Sequence, residues 1–141
     1  MAAVVSVELQ AREIDWTFAP GRSIRAFAYN GLVPGPTIQA NVGDTVEVRL
    51  RNSLPQPTTI HWHGVRVPAE MDGTEAVQPP VGPGESFEYR FVVPDAGTYW
   101  YHSHTNATEQ LERGLYGALI VRDPNEPAVD VLPVPAPPAP P

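Results

Sequence analysis

The sequence predicts an all-β protein, a Greek-key β-sandwich or barrel carrying one short helix. Three observations lead there. Apolar residues alternate with polar ones at period two in several separate runs. Turn-forming dipeptides punctuate those runs at short intervals. The 141 residues include 18 prolines and 11 glycines, a composition rich in turns and unlike that of a coiled coil or long-helix protein.

Taken in order, Val5, Val7 and Leu9 form the first alternating run and Ile14, Trp16 and Phe18 the second. Val46, Val48 and Leu50 form a third, and Phe87, Tyr89, Phe91 and Val93 a fourth. Each reads as a strand with one face in a core and the other toward water. Pro20-Gly21, Asn30-Gly31, Pro34-Gly35-Pro36, Gly43-Asp44, Pro79-Pro80, Gly82-Pro83-Gly84 and Asp95-Ala96-Gly97 supply the turns. Thr58 to Val65 and Gly97 to His104 also read as strands, which brings the expected number to seven or eight. A single helix is expected over about Ala107 to Arg113, after which the pattern returns to β.

The strand pattern ends after Val121-Arg122-Asp123-Pro124, so one domain is expected over 1–124 and a Pro-rich linker or tail over 125–141. The last eleven residues, Val131 to Pro141, contain six prolines, a composition that favours extended polyproline conformation. A docking motif for a partner is the sharper reading of that segment.

Charge and missing residue types narrow the function. Nine Lys+Arg stand against sixteen Asp+Glu, a net charge of −7, and the basic residues are scattered, so no nucleic-acid partner is expected. No run approaches the ~18 apolar residues of a membrane span, and no membrane partner is expected. The first residues, Met1 to Val7, lack a basic n-region and a long apolar stretch, and read as no signal peptide in this chain. Cysteine is absent, so any metal must be held by His, Asp, Glu, Met or backbone atoms.

All four histidines fall in two His-x-His pairs, His61-Trp62-His63 and His102-Ser103-His104, each within a segment that reads as strand. Residues two apart on a strand share a face, so each pair presents two imidazoles side by side. Imidazole suits copper, zinc, iron and nickel, and two such pairs with no histidine elsewhere point to a metal site. Asp72-Gly73 is an ordinary turn dipeptide, and Met71 beside it is either a soft metal ligand or, as a strand-end Met usually is, a core residue.

These residues resemble a known family. Thr59-Ile60-His61-Trp62-His63-Gly64, then Met71-Asp72-Gly73, then Gly97-Thr98-Tyr99-Trp100-Tyr101-His102-Ser103-His104 are similar to the first cupredoxin domain of multicopper oxidases such as laccases and ascorbate oxidases. Asn30-Gly31-Leu32-Val33-Pro34-Gly35-Pro36-Thr37-Ile38, Val42-Gly43-Asp44 and Gly114-Leu115-Tyr116-Gly117-Ala118-Leu119-Ile120-Val121 extend the likeness over roughly residues 4 to 123. The resemblance implies a cupredoxin-type fold and a trinuclear copper site shared between the first and last such domains, each giving four histidines.

Carried over by motif position, His61 resembles the ligand of the type 2 copper. His63 and His102 resemble ligands of one type 3 copper, and His104 a ligand of the other. Asp72 matches an acidic residue near the type 2 copper that assists proton delivery during dioxygen reduction. The implied partners are dioxygen and a small reductant, and the implied setting of the parent protein is periplasmic or secreted. Trp62, Trp100, Tyr99 and Tyr101 are expected to pack around the ligands rather than to relay electrons, and Glu109 and Gln110, close after the second pair, either support the ligands from behind or, the favoured reading, occupy exposed helix positions.

What is missing limits the resemblance. A type 1 copper needs a Cys thiolate with two His, and relatives place that Cys in a His-Cys-His motif that this chain lacks. Blue-copper electron transfer is excluded for this chain, and it holds half the histidines of a trinuclear site. Either a missing cupredoxin domain or a second copy in a homo-oligomer would complete the set, giving a copper oxidoreductase. A copper-binding module without activity of its own, a zinc hydrolase and a β-sandwich with vestigial histidines are the competing classes.

Overall fold

The computed structural model describes residues 1–126. Eight strands form two four-stranded sheets. The strands are β1 (Val4–Ala19), β2 (Arg22–Tyr29), β3 (Ile38–Asn41), β4 (Thr45–Asn52), β5 (Ile60–His63), β6 (Ser86–Val92), β7 (Gly97–Ser103) and β8 (Tyr116–Arg122). One sheet runs β2-β1-β4-β6 and the other β3-β8-β7-β5. The chain crosses repeatedly between the sheets, as a Greek-key sandwich requires. The sheets are mixed: β1 runs parallel to β4 and β3 parallel to β8, while the other pairs are antiparallel.

Alternation fixes which side chains meet between the sheets. Leu9, Phe27, Tyr29, Val46, Val48, Leu50, Tyr89 and Phe91 face inward from one sheet, and Ile38, Ile60, Trp62, Tyr101, Leu119 and Val121 from the other. Burying each large apolar side chain contributes about 1.5–3 kcal/mol, and this layer is what holds the sandwich together. Trp62 sits at its centre, with its ring centroid 4.8 Å from Phe91, 5.6 Å from Tyr89 and 5.8 Å from Tyr101.

The two N-terminal alternating runs belong to one strand. Val4–Ala11 pairs with β4 inside the sheet, whereas Ala11–Ala19 pairs only with β2 and projects as a two-stranded arm. The expectation that Ile14, Trp16 and Phe18 face a core is therefore corrected: Phe18 is 47% exposed, and none of the three belongs to the core. Period two reports the pleat of a strand, and nothing in it states whether a second layer covers the face.

The helix α1 (Ala107–Glu112) lies where it was expected, directly after the second histidine pair. A single 3-10 turn, Ala69–Met71, follows β5 in the long connection to β6. There Met71 packs partly buried against the core, and its sulfur accepts the Arg90 N–H at 3.2 Å. β8 ends at Arg122 and Asp123–Glu126 closes a turn, so the Pro-rich segment expected over 125–141 lies almost wholly outside the described residues. Among the described residues, no helix is long and apolar enough to cross a membrane.

Candidate metal centre

Strand pairing assembles the histidines. β5 is an edge strand and pairs antiparallel with β7 in the register His61↔His102, Trp62↔Tyr101, His63↔Trp100. Directly opposed residues share a face. His61, His63, Trp100 and His102 therefore stand together on the outer face of the sheet, while Ile60, Trp62 and Tyr101 point into the core. The apolar residue inside each pair anchors the strand, and its neighbours carry the imidazoles outward.

The ligand nitrogens of His61, His63 and His102 all lie within 4.8 Å of one another. His63 Nδ1 is 3.2 Å from His102 Nε2. A metal–imidazole bond is about 2.0–2.1 Å, so two nitrogens on one tetrahedral ion lie roughly 3.4 Å apart. The observed separation fits a shared ion. His104 is exposed and stands outside this trio, its ring centroid 5.3 Å from His61 and 6.4 Å from His102.

Backbone carbonyls set which nitrogen each ring offers. His61 Nδ1 donates to the Asp72 carbonyl at 2.8 Å, and His102 Nδ1 donates to the Ser103 carbonyl at 2.8 Å. In both rings the lone pair is left on Nε2, which is the arrangement that metal-bound histidines commonly show. Burial pushes the His102 imidazole below its ordinary range; the Ser103 carbonyl opposes this, and repulsion from the other three rings adds to it. A neutral imidazole is the form that binds metal.

Asp72 is brought to the site by its neighbour. Gly73 has φ +78, and a Cβ there would collide with the Ile60 carbonyl oxygen. Only glycine lets the loop close this tightly on β5. The closure delivers the Asp72 backbone oxygen to His61, while the Asp72 carboxylate stands 3.5 Å from the same ring nitrogen and stays partly open to solvent.

The aromatic neighbours divide into two groups. Trp62 and Tyr101 are fully buried and pack beneath the ligands, and Tyr99 packs partly buried against the same core. Trp100 is 40% exposed and lies against the imidazoles, 5.0 Å from His63 and 4.1 Å from His102 between ring centroids. Burial raises the Tyr89 hydroxyl to about 12, the largest cause; it accepts from the Ile60 N–H at 2.8 Å, at the start of β5.

One residue departs from its expected place. Gln110 is completely buried, where the sequence reading put it on an exposed helix face. Its neighbour Glu109 is half-buried and bonded to Arg113 at 2.9 Å and Asn106, away from the imidazoles. The available signal for Gln110 was the pair of small polar residues, Thr58 and Ser103, set inside segments otherwise patterned as strand.

Two four-stranded sheets, with two histidine pairs on one outer face, define a cupredoxin-type metal-binding domain. The multicopper oxidase family profile matches residues 10–126. A multicopper oxidase of Mycobacterium tuberculosis is 46% identical over 107 residues, which is 76% of this chain and 21% of that protein. Copper resistance protein A of Escherichia coli is 38% identical over 130 residues, 87% of this chain and 21% of that protein. Among solved structures, the multi-copper oxidase from Pseudomonas thermotolerans superposes with a TM-score of 0.85 at 45% identity, covering 90% of this chain and 31% of the other. The chain belongs to the multicopper oxidase family, as a cupredoxin domain of that copper-binding oxidoreductase class. It spans about a fifth of the length of these curated relatives.

Proposed function

We propose that this domain supplies one half of a trinuclear copper centre of type 2 and type 3 coppers, at which dioxygen is reduced by electrons from a small reductant. The observation that carries the reading is the 3.2 Å approach of His63 Nδ1 to His102 Nε2, with His102 locked in the tautomer that leaves Nε2 free. In this reading His63 and His102 hold one type 3 copper, His61 the type 2 copper through Nε2, and His104 belongs to the second type 3 copper. Copper held by these residues would relay electrons from the reductant to dioxygen. The chain's own residues hold the metal nitrogens in place, and the Asp72 carboxylate beside His61 passes protons that the reduction consumes.

Four histidines leave such a centre half complete, and the surface around them suits a second body. On the outer face beside the ligands, Thr98, Trp100, Tyr116, Ala118 and Ile120 are all uncharged. The outer face of the opposite sheet carries Glu8, Glu47, Arg49, Glu88 and Arg90. The uncharged stretch beside the half-built metal site, with charge at Asp72 beside His61 and at Arg122 at the far end of β8, favours a docked cupredoxin domain, either from a longer chain or from another copy. A second copy satisfies the count: His61 of both copies holds one copper, and His63 and His102 of one copy with His104 of the other hold each remaining copper.

Copper content and solution mass, measured on one copper-loaded sample, test this. A dimer with three coppers across two chains, roughly 1.5 per chain, is the outcome for pairing of two copies about a two-fold axis. A monomer holding one or two loosely bound coppers assigns the missing half to a different cupredoxin domain. A chain that takes up no copper contradicts the proposal.

A further inference from the structure

Resting on the copper reading above, we infer that Gln110 is a positioning residue for the metal centre, a buried amide clamp that sets the distance between the two histidine-bearing strands. Gln110 lies on α1 with no exposed surface. Its side-chain oxygen accepts from the Thr58 hydroxyl at 2.8 Å and from the Ser103 hydroxyl. Its side-chain nitrogen donates to the Pro57 carbonyl at 2.8 Å and to Gln56 Oε1 at 3.0 Å. One amide thus holds the segment entering β5 and the end of β7.

The placement of those partners is what ties the clamp to the metal. Ser103 is the residue between His102 and His104, and its side chain points inward while theirs point outward. Thr58 lies three residues before His61, and its hydroxyl is 3.3 Å from that of Ser103. The backbone of Gln110 continues the clamp, its carbonyl accepting the Leu115 N–H at 3.0 Å while the Leu115 carbonyl accepts the Ser103 N–H at 3.2 Å. β5 is an edge strand of only four residues and carries half of the imidazoles. Its ladder with β7 fixes register but leaves the approach of the segment before it to other contacts: backbone bonds tie Thr58 to Val81, the Thr59 hydroxyl meets that of Thr105, and the Gln110 amide links the segment to Ser103 between the two β7 histidines.

A buried polar cluster of this kind also contributes to stability, so the test must separate the two roles. Removing one partner strands the others, whereas replacing the whole cluster with apolar groups of similar shape is close to neutral. The Gln110→Leu single variant should lose both stability and copper affinity. The Gln110→Leu/Thr58→Val/Ser103→Ala triple variant should recover part of the melting temperature that the single variant loses, since only the Pro57, Gln56 and Thr105 oxygens lose a partner, yet bind Cu(II) at least tenfold more weakly in chelator competition and show an altered EPR hyperfine pattern. Thr58→Val alone removes one hydroxyl, with its contacts to Gln110 and Ser103, and leaves the rest of the clamp in place, so it should weaken copper by a smaller factor in a chain that folds normally.

Wild-type copper affinity and EPR pattern in the triple variant, or in a folded Thr58→Val and Gln110→Leu pair, would overturn the inference while leaving the copper reading intact. A wild-type chain that binds no copper in the same titration overturns the copper reading, and the clamp's role with it.

Discussion

The His61 imidazole and the Asp72 backbone carbonyl lie 2.8 Å apart, and the glycine after Asp72 permits that approach. A methyl group at position 73 would collide with the Ile60 carbonyl and force a positive φ on a residue that disfavours it. Gly73→Ala should therefore destabilise the domain by about 2–4 kcal/mol, read from the denaturant midpoint. It should also release His61 from its tautomer and lower copper affinity. An unchanged midpoint would mean that the loop closes on β5 without needing glycine.

His63 and His102 should behave as one unit. Each single alanine variant loses the shared ion, so the double variant His63→Ala/His102→Ala should retain no less copper than the worse single one. His104 stands outside the trio of its own chain, so His104→Ala should cost a separate copper where a different domain completes the site, and the same copper as His63 and His102 where two copies pair. Metal analysis of the four variants after gel filtration gives the answer. Simple additivity between His63 and His102 would assign them to separate ions.

Asp72 acts on His61 through its backbone, so changing its side chain leaves that bond in place. Asp72→Asn should keep copper content within about twofold of wild type, since the ligand nitrogens are untouched. Oxygen uptake by the copper-loaded assembly should fall by about tenfold or more, the scale of a lost proton relay. Equal oxygen uptake by wild type and variant would remove the carboxylate from the proton path.

Acid stability should depend on Asp44. Its carboxylate accepts the Ala3 N–H and the Asn41 N–H, each at 2.8 Å, and these bonds hold it below the usual carboxylate range. A lowered folded value means that its contribution is present above the unfolded value of about 4 and is lost as pH falls further. Asp44→Asn should flatten the loss of stability between about pH 5 and pH 2. Parallel acid-unfolding curves for the two proteins would show that Asp44 takes no part.

The histidine centre was legible because its two defining relations are short. His61 and His63 are separated by one residue on β5, and the pleat alone puts that pair on one face, whereas β7 ends at Ser103 and His104 lies just beyond it. That β5 and β7 are neighbours, with His61 opposite His102, is a long-range pairing that period two does not encode. Ile14, Trp16 and Phe18 show the same limit from the other side, since their alternation is real but their covering layer is absent among the described residues. Gln110 was misplaced for a related reason. A two-turn helix offers too few residues for an amphipathic pattern, and the groups that bury it, Pro57 and Thr58, lie more than fifty residues earlier. Gly73 was legible as a turn residue, while its closeness to Ile60 needed the folded chain.

Whether His63 and His102 share one copper is decided by anomalous diffraction at the copper edge from crystals of the copper-loaded protein. A copper peak bonded to both His63 Nδ1 and His102 Nε2 is expected, with a second peak at His61 Nε2. Copper found only at exposed carboxylates, or at His104 alone with the His63–His102 pair empty, would contradict it.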